Sequence, residues 1–98
     1  MIQETLSAQC HLCGNNRDVW YLFGEAIIKT LEKFYPNCIV GKPEFNFNLL
    51  PDEPPLMKIS AKVKCNNRTE LEAMDMKLQW IAVVFEEKLW NELPDRYK

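Results

Sequence analysis

Residues 57–65, MKISAKVKC, decide the fold because apolar and polar residues alternate along the whole stretch. A period of two is typical of a β-strand that buries one face and leaves the other in water. The apolar positions are Met57, Ile59, Ala61, Val63 and Cys65, and the polar positions are Lys58, Ser60, Lys62 and Lys64. The stretch therefore predicts a strand that contributes one face to a hydrophobic core.

A second alternating segment, residues 44–49, comes just before it. Phe45, Phe47 and Leu49 fall on one side of this segment, and the connection to the next strand, residues 51–55, contains three prolines. Strands that follow each other along the chain usually pair as neighbours. We expect the two segments to form an antiparallel pair.

Apolar residues at helical spacing predict one helix before the strands, over residues 17–35. Asn15 or Asn16 is suited to cap its first amides, and Pro36 stops it. Its expected core residues are Trp20, Phe23, Ile27, Leu31 and Phe34, with Val19, Ala26 and Ile28 beside them.

A second helix is predicted after the strands, and it ends before Pro94. Its start matches a capping box, in which Thr69 and Glu72 each satisfy a backbone amide. Its expected core residues are Leu71, Met74, Leu78, Ile81, Phe85 and Leu89.

The element order helix, strand, strand, helix predicts an α+β fold with two helices on one face of a small antiparallel sheet. We expect a single globular domain over residues 15–93. Residues 1–14 are expected to be an N-terminal lead-in that carries a C-x-x-C pair, and residues 94–98 a C-terminal tail.

Composition and charge favour an ordinary intracellular globular protein. The chain has 98 residues, of which 47% are hydrophobic and 27% charged, with a formal net charge of -2. No apolar run approaches the roughly 18 residues of a membrane span, and no signal peptide is recognisable. We therefore expect a location in the cytoplasm or nucleus and no membrane partner.

A basic ridge made of Lys58, Lys62, Lys64 and Arg68 is the candidate surface for nucleic acid. Ser60, rather than an aromatic residue that could stack on a base, lies between these lysines. A solvated strand face is therefore the stronger interpretation, and nucleic acid the weaker one.

The stretch QCHLCGNN, residues 9–16, places Cys10 and Cys13 two residues apart. It resembles half of a zinc knuckle, and a structural zinc ion needs four ligands. The expected topology puts Cys38 and Cys65 at the opposite end of the domain. The cofactor expectation is thus none, or a zinc ion that Cys10 and Cys13 share across a dimer.

The same pair could instead act in thiol chemistry. In element order alone, a C-x-x-C pair followed by helix, strand, strand and helix is similar to the small thioredoxin-like selenoprotein W group. The resemblance rests on Cys10, Cys13 and Gly14, and it implies redox activity at the two cysteines. The glycine-rich hairpin expected of that group is missing here.

Several large apolar residues of the two helices lie outside the expected core stripes. They are Met76, Trp80, Val83, Val84 and Trp90 in the second helix and Tyr21 in the first. Exposed aromatic and apolar side chains of this kind are typical of protein interfaces. We therefore expect a non-enzymatic interaction module that binds itself or another protein. The alternatives are a thiol-disulfide oxidoreductase and a zinc-dependent binding module.

Overall fold

A computed structural model describes residues 1–14 and 16–92 of the chain. The elements in chain order are β1 (Ile2–His11), α1 (Arg17–Phe34), β2 (Ile39–Asn48), β3 (Leu56–Cys65) and α2 (Arg68–Glu92). The α+β class and the antiparallel sheet are confirmed, but the predicted order is wrong. A strand precedes the first helix, so the order is strand, helix, strand, strand, helix.

The three strands form one antiparallel sheet in the order β1-β3-β2. The predicted pairing of β2 with β3 is confirmed, with Phe45 opposite Ile59. β1 pairs along the other side of β3 in an unbroken register that runs from Ile2 opposite Cys65 to His11 opposite Leu56. β3 is therefore the central strand, and both of its edges are paired.

The expectation of a lead-in over residues 1–14 is wrong for most of this segment, because Ile2–His11 form β1. Leu6, Ala8 and Cys10 are buried, while the residues between them are exposed. This is the period-two pattern of a strand with one buried face. The alternation is weakened in the sequence because one of the inward positions holds Glu4 and another the small Ala8.

Both helices start at asparagine caps. Asn16 Oδ1 accepts hydrogen bonds from the backbone N–H groups of Asp18 and Val19 at 3.0 and 3.4 Å, as expected for α1. At α2 the cap is Asn67, whose Oδ1 accepts from the Glu70 amide at 2.9 Å, so the predicted Thr69 capping box is wrong. Asn15, Pro94 and the expected tail lie outside the described residues.

The core lies between the helices and one face of the sheet. Its largest fully buried side chains include Leu12, Ile27, Leu31, Met57 and Leu78. Two residues that were expected in or beside the core stripe of α1, Val19 and Phe34, are instead about half exposed, at 51% each. The described part of the chain buries no polar or charged residue in this core.

A glycine inside α1 sets how closely this helix approaches β2. A Cβ atom at Gly24 would lie 2.7 Å from Cε1 of Phe45 and 3.3 Å from Sδ of Met57. Contacts this short require the neighbouring ring to move. The position therefore accepts the helix-weakening glycine because the helix must lie against the phenylalanine ring.

We expect Gly24→Ala to destabilise the fold by about 1–3 kcal/mol, although alanine is the better helix former. Urea unfolding followed by circular dichroism would measure the change. The matched control is Glu25→Ala, a substitution at the next, exposed position of the same helix. A Gly24→Ala variant as stable as the control would contradict the close packing.

Candidate functional site

Four apolar side chains form an exposed stripe on α2, and we call Met76, Trp80, Val83 and Val84 the α2 stripe. Their exposed fractions are 73%, 55%, 52% and 39%. At about 100° per residue the four positions fall within an arc of about 100°. This arc is centred roughly opposite Leu78, which faces the core, so the stripe points away from the sheet.

α1 extends this apolar surface. It runs beside α2, with the Phe23 and Phe85 rings edge to face at 5.8 Å between centroids. Lys77 Nζ lies 4.4 Å from the ring centroid of Phe34 on α1 and 5.0 Å from that of Trp80 on α2. The lysine thus bridges two exposed aromatic rings on different helices by cation–π contacts.

The other two predicted interface residues lie elsewhere. Tyr21 is partly exposed, but its ring packs edge to face on Phe45 and Phe47 of β2, on the far side of α1. Trp90 is half-buried, and its Nε1 donates a hydrogen bond to the His11 carbonyl oxygen at 3.3 Å. The structure therefore brings together four of the six predicted residues.

Sequence reasoning missed Phe34 as a surface residue because its spacing matches the buried stripe of α1. Phe34 is the last residue of α1, so little of the structure lies beyond it to cover its side chain. The cue that was available is Pro36, since a stripe residue so close to a helix stop has little structure left to cover it.

Cys10 and Cys13 occupy different environments. Cys10 is fully buried on the inward face of β1, and its Sγ donates a hydrogen bond to the Ala82 carbonyl oxygen at 3.6 Å. Cys13 is half-buried in the turn before α1, and its carbonyl oxygen accepts from Trp20 Nε1 at 3.1 Å. The C-x-x-C pair therefore spans the end of a strand and the following turn.

The buried thiol is poorly suited to nucleophilic chemistry. Burial, and secondly the nearby Glu86 carboxylate, raises the pKa of the Cys10 thiol from 9.0 to about 12. Only the thiolate attacks a disulfide, and at neutral pH this side chain stays protonated. A thioredoxin-like C-x-x-C motif accompanies a strand–helix–strand unit of parallel strands, whereas both strand pairs that the structure describes are antiparallel.

Cys38 and Cys65 lie at the other end of the sheet. Cys65 is opposite Ile2 in the register, while Cys10 is opposite Met57, eight residues away along β3. That distance is about 26 Å at about 3.3 Å per residue. The expected separation is thus confirmed. Among the side chains of residues 1–14 and 16–91, no three His, Cys, Asp or Glu residues form a group that could hold a metal ion.

Side chains of α2 cover part of the outer edge of β1. Gln79 Nε2 donates to the Ser7 carbonyl oxygen at 2.6 Å, and Glu86 accepts from the His11 backbone amide. The same carboxylate lies 3.2 Å from His11 Nδ1. The only histidine of the chain therefore fixes the end of β1 to α2.

Lysines occupy the sheet face that the helices leave open. Lys58, Lys62 and Lys64 are exposed on β3, and their side chains alternate with the buried ones. Arg68, which was expected to join this ridge, instead makes an ion pair with Glu4 at 3.0 Å. Since even-numbered residues of β1 face the helices, Arg68 is on the helix side and the ridge consists of the lysines alone.

The comparisons with known proteins give no family for this chain. It matches no known family model and shows no significant sequence similarity to a curated protein. In the described ranges, neither helix is apolar enough over a sufficient length to cross a membrane.

We expect Cys13 to react with iodoacetamide faster than Cys10 in the folded protein. The Cys10 thiol is fully covered and ionises only near its raised pKa of about 12. Peptide mass spectrometry after short labelling at several pH values would give both rates, and labelling in urea would serve as the control. Fast labelling of Cys10 at neutral pH would restore the redox alternative.

The same pKa shift predicts a pH dependence of stability. The Cys10 thiol ionises near pH 9 in the unfolded chain and near pH 12 in the folded one. Its contribution to the free energy of unfolding is therefore complete below about pH 9 and is lost as the pH rises toward 12. Urea unfolding of wild type and Cys10→Ala over this range would measure it. We expect the stability of the wild type to fall more steeply with pH than that of the variant.

Proposed function

We propose that this protein is a non-enzymatic interaction module that self-associates through the α2 stripe. The observation that carries the proposal is the exposure of Met76, Trp80, Val83 and Val84 together on one helix face. Isolated apolar residues are common on protein surfaces, whereas a contiguous apolar patch marks an interaction site.

The composition of the patch suits a stable interface. Trp is among the residues that contribute most to binding energy at interfaces, and Met adapts its shape to a partner surface. Fully burying an apolar side chain of this size yields about 1.5–3 kcal/mol. Together with Phe34 of α1, which is 51% exposed and shares the Lys77 contact with Trp80, the stripe offers apolar area that offsets part of the entropy lost on association.

The position of the stripe within α2 favours a second copy as the partner. The helix runs from Arg68 to Glu92, so Trp80 is its central residue, with Met76 four residues before it and Val84 four residues after it. Two antiparallel copies related by a two-fold axis near Trp80 would therefore place stripe against stripe. An isologous contact of this kind is the commonest way in which proteins form dimers.

The ends of the stripe also fit such an arrangement. Glu72 precedes the stripe and Glu87 follows it, and both are exposed. Protein interfaces typically have an apolar centre and a polar rim that stays in contact with water. The two glutamates would supply that rim at both ends of the paired helices.

Sedimentation equilibrium of wild type and Trp80→Glu over a wide concentration range tests the proposal. A carboxylate at the two-fold axis would face its own copy in an apolar contact, so we expect the dimer to weaken by at least about thirtyfold. The control is Leu50→Glu, which places a glutamate at an equally exposed apolar residue in the β2–β3 connection.

The measurements distinguish self-association through the α2 stripe from a monomer and from a dimer that uses another surface. Wild-type dimers that Trp80→Glu weakens and Leu50→Glu does not would support the proposal. A wild type that stays monomeric at the highest concentration would overturn self-association. Dimers that neither change affects would show that another surface mediates the contact.

A further inference from the structure

We propose that the open face of the sheet binds the phosphate backbone of single-stranded nucleic acid without selecting its bases. The site consists of Lys58, Lys62 and Lys64 on β3 and of the neutral polar side chains on either side of them. It lies on the face opposite the helices, so it is independent of the α2 stripe and does not rest on self-association.

The three lysines form a straight row along the middle of the sheet. Lys58 and Lys62 are four residues apart, which is about 13 Å along a strand, and Lys62 and Lys64 are two residues apart, which is about 7 Å. The row therefore extends over about 20 Å. Because β3 is the central strand, the row has a strand on each side. A straight row of like charges suits a linear polyanion better than a single small anion, which needs converging donors.

The charges of this row are available for a ligand. The ion pairs of His11 with Glu86 and of Arg68 with Glu4 include no lysine of the row. One carboxylate, Glu44, lies opposite Ser60 in the register and is the nearest acidic neighbour along β2. The row therefore keeps a net positive charge although the whole chain carries -2.

Neutral hydrogen-bonding residues flank the row on both neighbouring strands. Gln9 and Asn46 lie on either side of Lys58, Thr5 and the apolar Val40 on either side of Lys62, and Gln3 beside Lys64. Gln, Asn, Ser and Thr side chains, with Lys and Arg, make most of the contacts that proteins form with phosphate and sugar. The face thus combines cations with the donors and acceptors that a sugar–phosphate chain uses.

The same face is poorly suited to a membrane. Peripheral membrane binding combines basic residues with large apolar side chains that enter the lipid layer, whereas the residues opposite the three lysines are neutral and polar except for Val40 beside Lys62. A flexible single strand can follow a straight row, whereas duplex phosphates wind around an axis. The absence of an aromatic residue between the lysines, where Ser60 lies, implies contact with the backbone rather than stacking with bases.

Fluorescence anisotropy with a labelled oligothymidine, titrated with the full chain, tests this proposal. Neutralising three phosphates of a single strand gives a slope of log K against log salt of about -2, so affinity should fall about twentyfold from about 50 to about 200 mM salt. We expect an oligoadenine of equal length to bind with similar affinity, because the contacts are to the backbone.

Two variants and a control locate the site. Lys58→Gln/Lys62→Gln/Lys64→Gln should abolish binding, and Ser60→Glu, which adds one negative charge within the row, should weaken it at least about tenfold. The control Arg17→Gln/Lys29→Gln/Lys33→Gln removes the same charge from exposed positions of α1. Circular dichroism would verify that each variant is folded.

The results distinguish this proposal from its competitors. Loss of binding in the row variants but not in the α1 control would support it, and Trp80→Glu should bind as the wild type does. No binding at low salt, equal loss in the control, or binding of duplex alone would overturn it. Binding to vesicles of phosphatidylserine but not to the oligonucleotide would assign the row to a lipid surface instead.

Discussion

The pairing of β3 with a strand on each side is the constraint on which the rest of the structure depends. Its inward residues, which include Ile59 and Val63, are fully buried, and they form the floor on which both helices lie. Its outward residues from Lys58 to Lys64 are all polar. One central strand thus fixes which face of the sheet the helices cover and which face stays open.

This division separates two surfaces of opposite chemistry. The helix layer turns apolar side chains outward around Trp80, whereas the far side of the sheet carries the lysine row. A dimer formed through the helices would therefore leave the open sheet face of each copy in water. The covered thiol of Cys10 belongs to neither surface, since it lies between β1 and α2.

Much of this architecture could be predicted from the sequence, and the misses have physical causes. Strong periodicity located β2, β3 and both helices. β1 was not predicted because a strand that pairs with a central strand tolerates inward residues of low hydrophobicity, such as Glu4 and Ala8. The ion pair of Arg68 with Glu4 could not be predicted for the same reason, because it requires β1 to be in place. The exposure of the α2 stripe was foreseeable from the limited interior of a small domain.

The contacts of α2 with the outer side of β1 bear on how this sheet ends. A bare strand edge is a template for another chain, and many proteins aggregate through such edges. Here Gln79, Glu86 and Trp90 form hydrogen bonds with backbone groups of Ser7 and His11, so the protein's own helix covers part of the edge. On the opposite side, Pro43 and the irregular register after Val40 interrupt β2. Pairing with a strand of another chain is thereby discouraged at both sides of the three-stranded sheet.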